Sequence, residues 1–219
     1  MEKMCIFDLD GTLINSLPAI SHFANIALNS VGLGPIDTDT YRYYVGDGMD
    51  TLLHRCLAHY NADTEENFSQ MRAVYKSGYD NDVLYDTRAY DGIPELLDEL
   101  KKIGVKICVL SNKPDNAAVC AVDKLFGKNR FDLVIGQVDG QRKKPAPDGV
   151  FSICDRMGIS PGRTVFVGDT NVDILTGKNA GAFTVGVLWG YRDEKELREN
   201  GADKIISYPS ELIDIITGI

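Results

Sequence analysis

The chain has 219 residues, of which 44% are hydrophobic and 25% charged, with 23 basic and 32 acidic side chains. This is the composition of a globular protein that can bury a sizeable core, and it excludes an intrinsically disordered chain. The formal net charge of −9 leaves no surplus of basic residues for a phosphate backbone. Nucleic acid is therefore not expected as a partner.

The N-terminal residues predict a cytoplasmic protein without a membrane partner. They run directly into a strand-like segment at 5–7 and lack the basic, apolar and small-residue regions of a signal peptide. The apolar runs elsewhere are strand-sized, much shorter than the roughly 20 apolar residues of a membrane-spanning helix. We expect a soluble chain.

Five short apolar runs are typical of buried parallel strands, because they do not alternate with polar side chains. The runs are 4–7, 105–110, 133–135, 164–167 and 183–188. Helical periodicities lie between them, for example at 93–103, where Asp91 is the predicted N-cap. This alternation predicts an α/β fold whose core is a doubly wound, Rossmann-like parallel sheet.

Residues 15–87 have a different pattern, with helical periodicities and no strand-like run. We interpret them as an inserted α-helical cap domain, so that the core comprises residues 1–14 and 88–219. An insertion directly after the first strand lies over the carboxyl ends of the strands, where open α/β sheets bind their ligands.

Acidic side chains follow two of the predicted strands. Asp8 and Asp10 stand two residues apart in an extended segment and can face one ligand, while Gly11 allows a sharp turn. Asp169 and Asp173 have the i, i+4 spacing that predicts a shared helical face. Four converging carboxylates require a cation, and an all-oxygen site suits Mg²⁺.

Potential donors to an anionic ligand follow the other strands. Ser111 and Asn112 offer a hydroxyl and an amide after the run at 105–110, although they also fit a cap for the next helix. Pro145 disfavours a helical conformation of the preceding residue, Lys144. The Lys144 ammonium can neutralise an anion. Together with the carboxylates, these groups describe a phosphoryl-transfer site.

The ordered motifs DLDGT (8–12), SN (111–112), KKPAP (143–147) and GDTNVD (168–173) resemble those of the haloacid dehalogenase-like hydrolase superfamily. The resemblance covers the whole chain, including the cap. It implies that Asp8 is the nucleophile, which forms a phosphoaspartyl intermediate, and that Asp10 is the general acid and then the general base. It also implies that Ser111 and Lys144 bind the phosphoryl oxygens.

The resemblance further implies a Mg²⁺ site formed by Asp8, the backbone carbonyl of Asp10, and Asp169. Asp173 would support this metal from outside its inner coordination shell or through a water. The remaining expected contacts to the phosphate or the substrate are Thr12, Asn112, Gly46 and Arg55. The expected partner is a small phosphorylated metabolite, bound by a monomer or a homodimer.

The cap loop Val45-Gly46-Asp47-Gly48 and the Ser-Asn-Lys-Pro motif at 111–114 are similar to those of phosphoglycolate phosphatases, which implies 2-phosphoglycolate as the substrate. In that group Asp47 is often an asparagine, and its charge would repel an anionic glycolate. Two other enzymes remain open: a sugar phosphomutase resembling β-phosphoglucomutase, and a phosphatase of a sugar phosphate or nucleotide. A non-enzymatic binding module is disfavoured by the intact Asp8 and Asp10.

Overall fold

A computed structural model describes residues 2–218, so the predicted core's first and last residues, 1 and 219, lie outside the described residues. The chain begins with strands β1 (Met4–Phe7) and β2 (Ile14–Asn15), followed by helices α1 (Leu17–Ser30), α2 (Thr38–Tyr41), α3 (Met49–His59) and α4 (Glu65–Asn81). The elements after residue 87 are β3 (Arg88–Ala89), α5 (Ile93–Lys102), β4 (Lys106–Pro114), α6 (Asp115–Phe126), β5 (Leu133–Gln137), α7 (Asp148–Met157), β6 (Thr164–Gly168), α8 (Asn171–Ala180), β7 (Phe183–Val187), α9 (Glu194–Glu199), β8 (Lys204–Ile206) and α10 (Glu211–Gly218).

The main sheet is parallel, with the strand order β5-β4-β1-β6-β7-β8. Alternate side chains of β1 pack on opposite faces of this sheet. Ile6 lies in one buried cluster with Ile153 of α7, and Phe7 lies in another with Leu97 of α5. The prediction of a doubly wound α/β sheet is confirmed.

Some local predictions at the strand and helix ends were wrong. β4 does not stop at Leu110 but continues to Pro114, which pairs with Gln137 after a shift in register. The N-cap of α5 is Gly92, in a left-handed conformation, and not Asp91. The strand β8 is only three residues long, which is too short for its periodicity to be visible in the sequence.

Between β2 and β3 lies the helical segment, which we define as residues 16–87. Its helices are α1 to α4, and β2 and β3 pair antiparallel, Asn15 opposite Arg88. The chain therefore enters and leaves the helical segment at the same place, through the separate two-stranded sheet of β2 and β3. The division into a core domain and a cap domain stays a prediction.

None of the helices within residues 2–218 is long and apolar enough to cross a membrane.

Candidate active site

The carboxylate of Asp8 lies at the end of the central strand β1. All four residues of β1 are buried, and the backbone N–H of Asp8 extends the pairing by donating to the carbonyl of Val167 on β6. The topology changes direction at β1, because β4 lies on one side of it and β6 on the other. Such a switch point is where open α/β sheets form their ligand crevice.

A tight turn after Asp8 brings Asp10 to the same crevice. The N–H of Gly11 donates to the carbonyl of Ile14 at 2.9 Å, and Gly11 has a φ of +91°. A Cβ at this position would stand 2.3 Å from Oδ2 of Asp169. Glycine is therefore required both by the backbone conformation and by the close approach of the Asp169 carboxylate.

Asp169 is fully buried after β6, with both of its oxygens bound by the protein. Oδ1 accepts from the Thr12 hydroxyl at 3.0 Å, and Oδ2 accepts from the backbone N–H of Tyr191 at 2.8 Å. The structure thus directs the Thr12 hydroxyl at Asp169, where it orients the carboxylate.

Asp173 lies in the first turn of α8, but it does not share a helical face with Asp169, which precedes that helix. The prediction of a common face was wrong, because the chain between the two residues is still extended at Thr170. The Asp173 carboxylate turns back towards the strand end, and its Oδ2 accepts from the N–H and the hydroxyl of Thr170. The two carboxylates converge through this capping interaction.

Lys144 lies between two of the carboxylates. Its Nζ is 2.8 Å from Oδ1 of Asp8 and 2.7 Å from Oδ1 of Asp173, and its side chain is 3% exposed. Although burial lowers the pKa of Lys144, the charges of Asp173 and Asp8 outweigh it and raise the pKa overall. The lysine therefore stays charged in the site.

The carboxylates of Asp8, Asp169 and Asp173 repel one another. Burial, followed by the charge of Asp173, raises the pKa of Asp8 to about 7, against the opposing charge of Lys144. Burial, followed by the charges of Asp173 and Asp8, holds the pKa of Asp169 well above its usual range. One lysine does not balance three buried carboxylates.

A metal cation fits this cluster. Asp8, Asp169 and Asp173 each offer an oxygen within 4.8 Å of the others. Oδ1 of Asp8 is buried, and the Lys144 ammonium lies 2.8 Å from it but outside hydrogen-bond geometry, so among the described residues this oxygen has an ionic contact and no well-aligned donor. Hard oxygen donors of this kind suit Mg²⁺. The buried acidic triad can therefore hold a metal.

Ser111 and Asn112 have different surroundings. Ser111 lines the pocket above Asp8, and its Oγ accepts from the backbone N–H of Lys113 at 3.2 Å, which leaves its own proton available. The Asn112 amide donates to the carbonyls of Gly46 and Lys144, and its oxygen accepts from the N–H of Lys144. Asn112 thus positions Lys144 and the loop at Gly46, and its donors are already used.

Arg55 contacts the loop that precedes α3. Its guanidinium lies 2.6 Å from Oδ2 of Asp47 and donates to the carbonyl of Tyr44 at 2.8 Å. Arg55 thus pairs with the Asp47 carboxylate and offsets its negative charge. Gly46 lines the pocket, with a φ of +115°.

Sequence reasoning assigned no role to Lys113 or Tyr79, which lie beside Asp10. The Lys113 ammonium donates to both Asp10 oxygens, at 2.8 and 3.1 Å, and to the Tyr79 hydroxyl at 2.6 Å. The neighbouring pocket wall is formed mainly by the helical segment, through Ile20, Val45, Met49, Leu52, Tyr75 and Tyr79. Tyr75 and Tyr79 have the i, i+4 spacing of a shared helical face, but this spacing does not indicate that the face lines a pocket.

The comparisons agree with this geometry. The family model of the haloacid dehalogenase-like hydrolases matches residues 5–187. A phosphoglycolate phosphatase of Aquifex aeolicus is 35% identical to the chain over 98% of its length and 96% of the relative. An N-acetylmuramic acid 6-phosphate phosphatase of Pseudomonas aeruginosa is 32% identical over 98% of the chain and 94% of the relative.

Solved structures also share the fold. A predicted phosphoglycolate phosphatase from Haemophilus somnus superposes with a TM-score of 0.90 at 27% identity, and the match covers 97% of each chain. The similarity therefore extends over the parallel sheet and the helical segment together.

Proposed function

The chain belongs to the haloacid dehalogenase-like hydrolases and is a phosphomonoester hydrolase, and we propose that it hydrolyses 2-phosphoglycolate with Mg²⁺ through a phosphoaspartyl intermediate on Asp8. The observation that carries this proposal is the buried Asp8 carboxylate, which touches Lys144 and lies beside Asp169 and Asp173. A carboxylate in such surroundings can attack phosphorus, because cations offset its repulsion from the phosphate.

In the first step, an oxygen of Asp8 bonds to phosphorus while the ester bond to the leaving oxygen breaks. Asp10 gives its proton to that oxygen, so the product leaves as an alcohol rather than as an alkoxide. Ser111 donates its free hydroxyl proton to a phosphoryl oxygen, and the Lys144 ammonium offsets the charge of the phosphoryl group. Asp10 lines the same pocket as Asp8 and Ser111, which supports these roles.

In the second step, Asp10 takes a proton from water, and the water oxygen bonds to phosphorus. The bond between phosphorus and the Asp8 oxygen breaks, which regenerates the carboxylate and releases inorganic phosphate. Dividing hydrolysis in this way replaces one difficult displacement by two easier ones.

Asp8, Asp169 and the backbone carbonyl of Asp10 would hold the Mg²⁺ ion, which when bound neutralises charge on the phosphoryl oxygens. Asp173 accepts from the Lys144 ammonium on Oδ1 and from Thr170 on Oδ2, and we propose that it supports the site from outside the inner coordination shell by positioning Lys144. Thr12 and the backbone of Tyr191 orient Asp169.

Two observations support 2-phosphoglycolate as the substrate. The named relative from Aquifex aeolicus is a phosphoglycolate phosphatase, and Arg55 removes the charge conflict that Asp47 would create. The Tyr79 hydroxyl must accept its bond from Lys113, because an ammonium has no acceptor, and its own proton can donate to a carboxylate oxygen. We propose that the helical segment acts as a cap that supplies this contact.

A phosphatase of a sugar phosphate is the second candidate, favoured by the apolar and aromatic wall that Ile20, Leu52 and Tyr75 contribute to the pocket. The relative from Pseudomonas aeruginosa, named for a sugar phosphate, is nearly as similar to the chain as the one from Aquifex aeolicus. Such a wall can pack against a sugar ring.

A phosphate-release assay tests the proposed function. The purified chain with Mg²⁺ is given 2-phosphoglycolate, hexose 6-phosphates, N-acetylmuramic acid 6-phosphate and nucleoside monophosphates, one at a time. We expect the highest kcat/KM for 2-phosphoglycolate and no activity for Asp8→Asn. A higher kcat/KM for a sugar phosphate would favour the second candidate. Interconversion of two sugar phosphates without phosphate release would identify a mutase and contradict the proposal.

A further inference from the structure

The ammonium of Lys113 is buried at the boundary between β4 and the helical segment, and the reaction steps above do not use it. Its side chain is 4% exposed, and all three of its N–H donors are engaged, two by the Asp10 carboxylate and one by the Tyr79 hydroxyl. A buried cation is costly unless it is paired and hydrogen-bonded. An apolar side chain of similar size would fill this space without that cost.

Lys113 fixes the orientation of Asp10. The carboxylate receives hydrogen bonds from Lys113 on both oxygens and from Ser16 on Oδ1. Without Lys113, the Asp10 carboxylate would keep only the hydrogen bond from Ser16 to Oδ1, and it could rotate about the bond to its Cβ. A general acid displaced by about 1 Å from its productive position can lose about 100-fold in rate.

Tyr79 connects Lys113 to the body of the helical segment. It lies in α4, where its ring stacks on Tyr75 with centroids 5.3 Å apart and meets the edge of Phe23 on α1 at 5.7 Å. Gly78 lets α4 approach α1 closely, because a Cβ there would stand 2.8 Å from the Phe23 ring. The position of the Tyr79 hydroxyl therefore depends on the packing of α4 against α1.

We propose that Lys113 is a positioning residue that holds Asp10 for proton transfer, and that Tyr79 makes this conditional on the docking of the helical segment. The inference rests on the proposed role of Asp10 as general acid and base. It predicts that the helical segment encloses the substrate and aligns Asp10 at the same time, because the Lys113 ammonium contacts both Asp10 and Tyr79.

The test uses the full chain with Mg²⁺ and the variants Lys113→Met, Tyr79→Phe and their combination. For 2-phosphoglycolate, we expect Lys113→Met to lower kcat about 100-fold and to change KM by less than about threefold. Tyr79→Phe keeps the ring packing and should lower kcat about fivefold. The proposed contact of Tyr79 with the substrate carboxylate should show separately, as a raised KM. The combined variant should have a kcat no lower than that of Lys113→Met, because the effect of Tyr79 on kcat passes through Lys113.

A leaving group that needs no proton gives a readout that a purely structural role of Lys113 would not change. p-Nitrophenolate departs without a proton, so Lys113→Met should still form the phosphoenzyme from p-nitrophenyl phosphate. Release of p-nitrophenol should then show a burst followed by slow turnover, since water attack still needs Asp10. Lys124→Met, on the exposed surface of α6, is the matched control and should keep the wild-type kinetics.

A Lys113→Met enzyme with a kcat within about threefold of wild type, or additive effects of the two substitutions on kcat, would overturn the inference. If Lys113→Met fails to fold, Tyr79→Phe with a wild-type kcat would overturn it alone. The variant Asp10→Asn distinguishes a failure of the proposed function from a failure of this inference. An active Asp10→Asn enzyme contradicts the proposed function itself. An inactive Asp10→Asn enzyme beside an active Lys113→Met enzyme contradicts only this inference.

Discussion

The ammonium of Lys144 lies 2.8 Å from Oδ1 of Asp8, and both side chains are buried. The same ammonium contacts Asp173 at 2.7 Å. Removing one member of a buried ion pair leaves the other uncompensated, which typically costs about 3–5 kcal/mol. Lys144→Met should therefore lose about that much in free energy of unfolding, as well as phosphatase activity.

The neighbouring Lys143 is the matched control for this measurement, because it is exposed and donates to the Asp47 carbonyl and to the Thr51 hydroxyl. Lys143→Met should lower the free energy of unfolding, measured with urea, by less than about 1 kcal/mol. Equal losses in the two variants would show that the contact of Lys144 with Asp8 is not the stabilising feature.

Mg²⁺ should raise the thermal midpoint of the protein, because it binds the folded acidic triad and relieves the repulsion there. At 100 times its dissociation constant, a bound ligand stabilises the folded state by about 2.7 kcal/mol. Asp169→Asn should abolish this shift, and without metal it should melt higher than wild type, since one repelling carboxylate is gone. An undiminished Mg²⁺ shift in Asp169→Asn would contradict the metal site.

Gly11→Ala should impair both stability and activity. The new Cβ would stand 2.3 Å from the Asp169 carboxylate, at a φ of +91°. Gly104→Ala is the control for the backbone alone, since Gly104 has a φ of +79° with no atom within 4 Å of an added Cβ. We expect Gly104→Ala to cost about 1–2 kcal/mol with unchanged kcat, whereas Gly11→Ala also lowers kcat. Equal behaviour of the two variants would refute the steric argument.

Arg55→Ala should raise KM for 2-phosphoglycolate, because it leaves the Asp47 carboxylate unpaired near the pocket loop. The expected change is at most about fivefold, which corresponds to about 1 kcal/mol for a partly exposed ion pair. Arg55→Ala combined with Asp47→Asn removes the unpaired charge and should return KM towards the wild-type value. A KM that stays raised in the double variant would assign the effect to Arg55 itself.

The sequence predicted the parts of the fold that depend on uninterrupted apolar runs. β1 was predicted at 4–7, which matches Met4–Phe7, because every side chain of that strand is buried. β8 was missed because only Ile206 of its three residues is buried. The i, i+4 spacing of Asp169 and Asp173 wrongly predicted a shared helical face, because the helix begins two residues after Asp169.

The candidate site was predictable where residues adjoin strand ends, and not where they meet across the helical segment. Asp8 and Asp169 directly follow β1 and β6, and Ser111 lies near the carboxyl end of β4, so parallel pairing brings them together. Lys113 instead depends on Tyr79, which lies 34 residues away in the chain and in another structural element. A lysine next to a proline gives no sequence signal that its ammonium is buried.

The most direct test of the central claim is mass spectrometry of the enzyme after rapid acid quenching during turnover of 2-phosphoglycolate. The account predicts one phosphoryl group on the peptide that contains Asp8, and no phosphoryl group on that peptide in the Asp8→Asn control under the same conditions. A wild-type enzyme that releases phosphate while no phosphoryl group is ever found on Asp8 would contradict the account.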